Sequence, residues 1–210
     1  INLPINKEKI IKNINKQFIG QTEYYQQIDK KNVSNMIFVY KNLIITTLTT
    51  HIKLNSVTNK LSKKNFIYNK IINLNNVLIK YFNIKKPKII LSGINPHASE
   101  NNMFGREENK YLVPQINKLL KKNIYIQGPY SADSILNNKN IKKYDCFAFC
   151  YHDQALVAYK YISKNRGINF TGGLSILRVS PDHGTAYDLV GKNMAENKSL
   201  INCYKFLNKF

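Results

Sequence analysis

Short β-rich apolar runs alternate along this chain with longer segments of helical periodicity, and that alternation restricts it to an α/β layered architecture. Asn35 to Tyr40, Leu43 to Thr49, Lys88 to Ser92, Asn123 to Gln127 and Cys146 to Tyr151 read as strands. Val57 to Phe82 reads as one or two helices, with apolar side chains at Leu61, Ile71, Leu74 and Leu78. Glu107 to Lys122 is amphipathic, with Pro114 bending it early, and Gln154 to Tyr161, Thr185 to Val190 and Glu196 to Phe210 complete the expected helices. Gly128-Pro129 is read as a turn after the fourth strand. No internal repeat, heptad or low-complexity linker breaks the pattern.

With 210 residues the chain can bury one substantial core, or one domain and part of another. Its net charge of +20 would ordinarily suggest a nucleic-acid partner. The lysines, however, are spread along the chain among abundant asparagine and isoleucine. Lys63-Lys64, Lys85-Lys86, Lys121-Lys122 and Lys142-Lys143 are pairs, most of them at element ends where solvated lysine is expected. A basic RNA-binding protein is therefore disfavoured, and no specific nucleic-acid partner is expected beyond low-salt adhesion. The apolar runs are too short for a membrane-spanning helix and no signal peptide opens the chain, which gives the expectation of a cytoplasmic protein. Cys146, Cys150 and Cys203 are odd in number and suit reduced, buried thiols.

Three of the four histidines stand where a strand-like run breaks into a polar turn, at Thr50-His51, Asn95-Pro96-His97 and Tyr151-His152-Asp153. Imidazole nitrogens at the ends of rigid strands suit a divalent ion. Spacing alone leaves two readings open: a metal site, or three histidines each satisfied by a backbone carbonyl.

Longer words surround them. Pro4-Ile5-Asn6-Lys7, Gly20-Gln21-Thr22-Glu23, Asn95-Pro96-His97-Ala98-Ser99-Glu100, Gly105-Arg106-Glu107-Glu108, Tyr151-His152-Asp153-Gln154, Asn165-Arg166-Gly167-Ile168-Asn169 and Asp182-His183-Gly184-Thr185-Ala186 occur in that order. Together they closely resemble 4-hydroxythreonine-4-phosphate dehydrogenase, the PdxA family of pyridoxal phosphate biosynthesis. The resemblance implies a three-layer α/β/α fold like that of isocitrate and isopropylmalate dehydrogenases, with two domains and a cleft between them. By that analogy residues 1–152 form most of a metal- and substrate-binding domain, and residues 153–210 return to a cofactor-side domain. The family carries a further third of a chain upstream, opening with a glycine-rich turn that nothing here matches. The expectation is an N-terminally incomplete copy in which Ile176, Leu189, Leu200 and Phe206 lack part of their burial surface.

The resemblance also implies a chemistry. A family member oxidises 4-phosphooxy-L-threonine at its secondary alcohol with NAD or NADP. The resulting 3-oxo acid loses carbon dioxide to give 3-amino-2-oxopropyl phosphate. Three histidines, one of them from the partner subunit of an obligate homodimer, hold a divalent cation, with zinc the first choice and magnesium or cobalt the alternatives. These ligands fall on His51, His97 and His152. The substrate contacts fall on Gln21, Thr22, Lys160, Asn169 and Arg178, and His183 falls near cofactor and substrate. Lysine and arginine suit the phosphate and carboxylate of such a substrate. Arg178, one of three arginines, lies in the apolar run Leu174 to Val179, where a bare cation is costly without an anionic partner. Lys160 alone also reads as a solvated helix lysine, and His183 as part of a turn capping the next helix. Asp153 reads either as a neighbour of the metal or as a helix N-cap. Asp145, seven residues before His152, needs a bulge or twist to support it.

This chain departs from the family in placing Gln21 where histidine is usual, and Ser99, Asn101 and Asn102 where glycines are usual. The alternatives are therefore a sister dehydrogenase of another phosphorylated hydroxy acid, such as a phospho-threonate, and an inactive remnant that no longer binds cofactor.

Overall fold

Side chains alternate along a strand, and in the strands of this chain both alternating sets are apolar, so both faces must be covered. In the computed structural model, which describes residues 1–210, α1 (Lys7–Asn13) and α2 (Gln21–Ile28) precede an antiparallel hairpin of β1 (Asn35–Tyr40) and β2 (Leu43–Thr47). Next come α3 (Val57–Leu61), α4 (Phe66–Phe82), β3 (Lys88–Ser92), α5 (Val113–Leu120), β4 (Tyr125–Tyr130), α6 (Asn138–Lys143) and β5 (Cys146–Phe149). The chain closes with α7 (His152–Ser163), β6 (Ile168–Gly172), β7 (Val179–Pro181) and α8 (Lys198–Leu207). All seven strands join one sheet in the order β4-β3-β5-β2-β1-β6-β7.

The expected α/β class holds, and the alternation explains the layers. Ile37, Ile89, Leu91, Cys146 and Ala148 face a core built with α3, α4, α5 and α8. Their neighbours Met36, Phe38, Ile45, Ile90, Phe147 and Phe149 face a second core with Ala155 and Tyr159 of α7. Helix α4 buries Ile67, Ile71, Leu74, Val77 and Leu78 on one stripe and is bounded by Asn65 and Asn83, both left-handed, at φ 58° and 55°. Ahead of α5 the chain makes a wide π-helical turn over Glu108–Leu112, with Pro114, which has no N–H to donate, in the first turn of the α-helix.

Several expectations are corrected. β4 runs through Gly128-Pro129 to Tyr130, and its pairing with β3 shifts register between Ile90 and Ser92, so no turn stands there. The Thr185 to Val190 helix is only a short turn over Tyr187–Leu189, because Ala186 is left-handed at φ 48°. Two strands lie outside the sequence expectation: β6 pairs antiparallel with β1, and β7 pairs antiparallel with β6 at the edge of the sheet. Phe206 is buried against Phe82, Phe170 and Phe210, whereas Ile176 is 53% exposed. The three cysteines are free and buried, and burial raises each thiol's pKa. No helix is long and apolar enough to cross a membrane.

Candidate metal and anion site

β2, β5 and β3 lie side by side and parallel, so their C-terminal ends open onto one edge of the sheet. The segments that leave those ends carry His51, His152 and His97, which is how three distant positions reach one side of the molecule. The His51 and His152 rings come together, with centroids 5.6 Å apart. Each has a carboxylate at Nδ1: both oxygens of Glu23 lie 3.3 Å from His51, and Asp153 Oδ1 lies 2.7 Å from His152. With the ring proton assigned to Nδ1, each Nε2 keeps its lone pair for a cation. Burial pushes Glu23 up, but His51 and the Thr50 hydroxyl outweigh it and lower its pKa to about 2. Gly20 admits this pair, since a Cβ there would stand 2.7 Å from Glu23 Oε2 and 3.0 Å from His51 Nδ1.

His97 is exposed and does not join the other two within one copy; no group of three His, Cys, Asp or Glu side chains is assembled to hold a metal ion. It opens a run of six residues, His97 to Asn102, whose φ angles all lie between 39° and 72°. Such a left-handed run costs energy in L-residues and needs an external hold. Buried Glu108 supplies it. Its Oε1 accepts from the Ile94 and Asn95 amides at 2.8 Å each, and its Oε2 accepts from the Asn95 side chain at 3.0 Å and from the Ser99 hydroxyl. Gln154 ties the same loop to β5 by donating to Gly93 O at 2.9 Å and accepting from Cys150 N at 3.0 Å.

Beside the His51–His152 pair lies a cavity of about 240 Å³, lined also by Gln21, Thr22, Asn169, Arg178 and His183. Arg178 is only 3% exposed. It donates to Thr171 Oγ1 at 2.8 Å, to Thr22 Oγ1 at 3.4 Å and to Gln21 Oε1, all neutral oxygens, and no carboxylate forms an ion pair with it. Its Nε and the Asn169 Oδ1 are buried without partners. Burial lowers the guanidinium's pKa, and the charges of Tyr25 and Glu23 pull it back up. A buried cation solvated only by neutral groups is poised for an anion.

Other expected residues sit differently. Lys160 donates to the Asp182 carbonyl and lies 3.4 Å from the fully buried Asp182 carboxylate, whose pKa burial raises and Lys160 lowers. Its charge is thus already answered, and it is not part of the cavity lining. His183 reaches the cavity but is held at Nδ1 by Gly184 O at 2.9 Å, with no helix for it to cap. Asp153 orients His152 and makes no N-cap bond. Asp145 accepts from Lys88 N at 2.7 Å, at the start of β3 and β5, the opposite end of those strands from His152.

A family model described as pyridoxal phosphate biosynthetic protein PdxA matches residues 1–207. The chain belongs to the PdxA family. Among curated PdxA-family relatives, the 4-hydroxythreonine-4-phosphate dehydrogenase of Sulfurihydrogenibium sp. is 36% identical over 201 residues, covering 96% of this chain and 61% of the relative. A protein of Halalkalibacterium halodurans whose name gives D-threonate 4-phosphate as substrate is 34% identical over 207 residues, covering 99% and 61%. The crystal structure of the Klebsiella pneumoniae 4-hydroxythreonine-4-phosphate dehydrogenase superposes with a TM-score of 0.83 at 27% identity, over 98% of this chain and 62% of that one. The chain thus spans about three fifths of the length of these relatives.

Sequence reading of the PdxA words missed the work done by Glu23, Glu108, Gln154 and Asp182. The only signal was their place inside the family words, with Gln154 and Asp182 alone sharing a word with a histidine. Glu23 closes Gly20-Gln21-Thr22-Glu23, Glu108 closes Gly105-Arg106-Glu107-Glu108, and Gln154 follows His152 by two.

Proposed function

We propose that this chain carries the metal and substrate site of a dehydrogenase acting on 4-phosphooxy-L-threonine with NAD or NADP. The 3-oxo acid so formed loses carbon dioxide and leaves 3-amino-2-oxopropyl phosphate, in the biosynthesis of pyridoxal phosphate. The observation that carries the reading is Arg178, a buried guanidinium without a carboxylate partner, lining the same cavity as two carboxylate-oriented histidines. A phosphate or carboxylate would complete Arg178, with Thr22 and Asn169 beside it, and the secondary hydroxyl would then lie toward His51 and His152.

The donor set fits a divalent ion, zinc first and cobalt next, because imidazoles backed by carboxylates are what those ions take; magnesium, the remaining choice, prefers oxygen donors. When bound, the ion supplies Lewis acidity at the substrate hydroxyl and the nicotinamide supplies the hydride acceptor. The chain's own part is to hold and orient. Glu23 and Asp153 fix the two ring orientations, Gln21 steadies Arg178, and Met36, Phe38 and Leu156 present apolar wall to the bound substrate. His97 fits the reading as the third ligand supplied by the partner in a homodimer, since it stands apart from the pair in its own copy. Free, buried cysteines are in keeping with a cytoplasmic setting.

One relative's name supports a sister substrate, D-threonate 4-phosphate, which differs in having a hydroxyl where the amino group stands. Calorimetric titration of the zinc-loaded protein with each ligand, alongside NADH formation, tests the choice. Tighter binding and faster turnover of 4-phosphooxy-L-threonine are expected. Preference for the threonate would move the assignment to the sister enzyme, and binding of neither would overturn the reading.

A further inference from the structure

The substrate cavity has a counterpart on the other face of the sheet. Strands β1 and β6 pair Phe38 with Asn169 and, one position on, Val39 with Ile168. Because side chains alternate between faces, the first pair lines the substrate cavity and the second gives the apolar floor of another, of about 510 Å³, with Phe206 of α8 also in its wall. That volume falls in the range of roughly 300–1,000 Å³ found for small-molecule sites. The two cavities share no residue.

The charges around this second cavity are all positive. Lys41 comes from the β1–β2 turn, Arg166 from the segment ahead of β6, and Lys198 and Lys205 from α8, with Lys209 just beyond that helix. On α8, Lys198, Asn202 and Lys205 recur at helical spacing beside the buried row Ser199, Cys203 and Phe206, so one cationic face of the helix borders the cavity. No carboxylate lines it, and the one ion pair made by these five cations is that of Lys198 with exposed Glu196, at 3.2 Å. Lysines are ordinary in a chain of net charge +20, but Arg166 is one of only three arginines. Its backbone is fixed, the amide donating to Ser163 O at 3.0 Å and the carbonyl accepting from the Asn202 side chain at 2.6 Å, while its Nε is buried without a partner. A guanidinium set beside an apolar floor and among like charges needs an anion, and its planar fork suits a phosphate.

We propose that this cavity binds a small aromatic phosphate, its phosphate on Arg166 and the α8 lysines and its ring over Val39, Ile168 and Phe206. The site is independent of the dehydrogenase reading, since no residue of the substrate cavity takes part. Calorimetric titration with pyridoxine 5′-phosphate, AMP and inorganic phosphate tests it, in about 0.15 M salt so that diffuse attraction to lysines is screened. Pyridoxine 5′-phosphate carries no aldehyde and so forms no imine with lysine. The protein carries Arg178→Met throughout, which removes the guanidinium of the substrate cavity as a competing phosphate site. At least one of the two aromatic phosphates should bind at one site per chain and at least about tenfold more tightly than inorganic phosphate; the better of the two tells a pyridine ring from a nucleotide. Arg166→Met should weaken that binding by at least about tenfold. Lys205→Glu, at an exposed position away from the core, should weaken it as well. Absence of binding, equal binding of inorganic phosphate, or affinity indifferent to both variants would overturn the proposal.

Discussion

Arg178 donates to Thr22, Thr171 and Gln21 and to no carboxylate, so its charge contributes little to folding and much to holding an anion. Arg178→Met should raise KM for the phosphorylated substrate by about tenfold or more, given roughly 1.5–3 kcal/mol for a hydrogen bond to a charged group. Thermal melting should barely change, and steady-state kinetics beside a melt check both halves. Lys70 gives a pH prediction. Its pKa falls from 10.5 to about 8 on folding, so below pH 8 the folded state bears the cost of a charged, desolvated amine. Between about pH 8 and 10.5 the unfolded chain binds more protons, and stability gains with rising pH. Lys70→Met should therefore stabilise the protein at pH 7 and lose that advantage by about pH 10.5, as denaturant melts across the range would show. Arg178 stood out in the sequence because a cation in an apolar run has few uses. Glu23 and Glu108 did not, since their partners lie 28 and 14 positions away and no local pattern links them. Lys160 was ambiguous among so many lysines, and its answering charge, Asp182, could be found only in the fold.

At the scale of elements, β2, β3 and β5 were readable because they are largely apolar runs buried on both faces, whereas β4, partly exposed and carrying Gly128-Pro129, was readable only in its first half. β6 and β7 were not, because they carry Asn169, Gly172 and Pro181, residues that usually mark loops. The Thr185 to Val190 pattern failed as a helix because one backbone angle, at Ala186, overrides side-chain periodicity. The His97 loop shows the same priority of backbone over pattern. Ala98 sits at φ 51° with none of asparagine's tolerance for that region, so Ala98→Gly should raise stability by about 0.5–1 kcal/mol after the glycine's extra unfolded-state entropy is counted. Chemical denaturation measures this. Glu108→Ala should act the other way, leaving the Ile94 and Asn95 amides unpaired and costing about 2–4 kcal/mol. Hydrogen exchange at those two amides is the local readout, and unchanged protection would show that the carboxylate is not what holds the loop.

The whole molecule divides its work along one sheet. The parallel strands β2 and β5 bring His51 and His152 together at a common edge, and the antiparallel strands β6 and β7 set Asn169 and Arg178 into the same cavity. The three histidines could be picked out as strand-end residues, but spacing could not reveal that two would meet and the third would point elsewhere. That distinction depends on strand order and on the left-handed loop. The central claim is that His51 and His152 form one end of a metal and anion site. Zinc content of the purified protein, measured by mass spectrometry for the natural chain and for His51→Ala, His152→Ala and His97→Ala, tests it most directly. About one ion per His51–His152 pair is predicted, falling to a small fraction in each single variant. Zinc content undiminished by His51→Ala or His152→Ala would contradict the account.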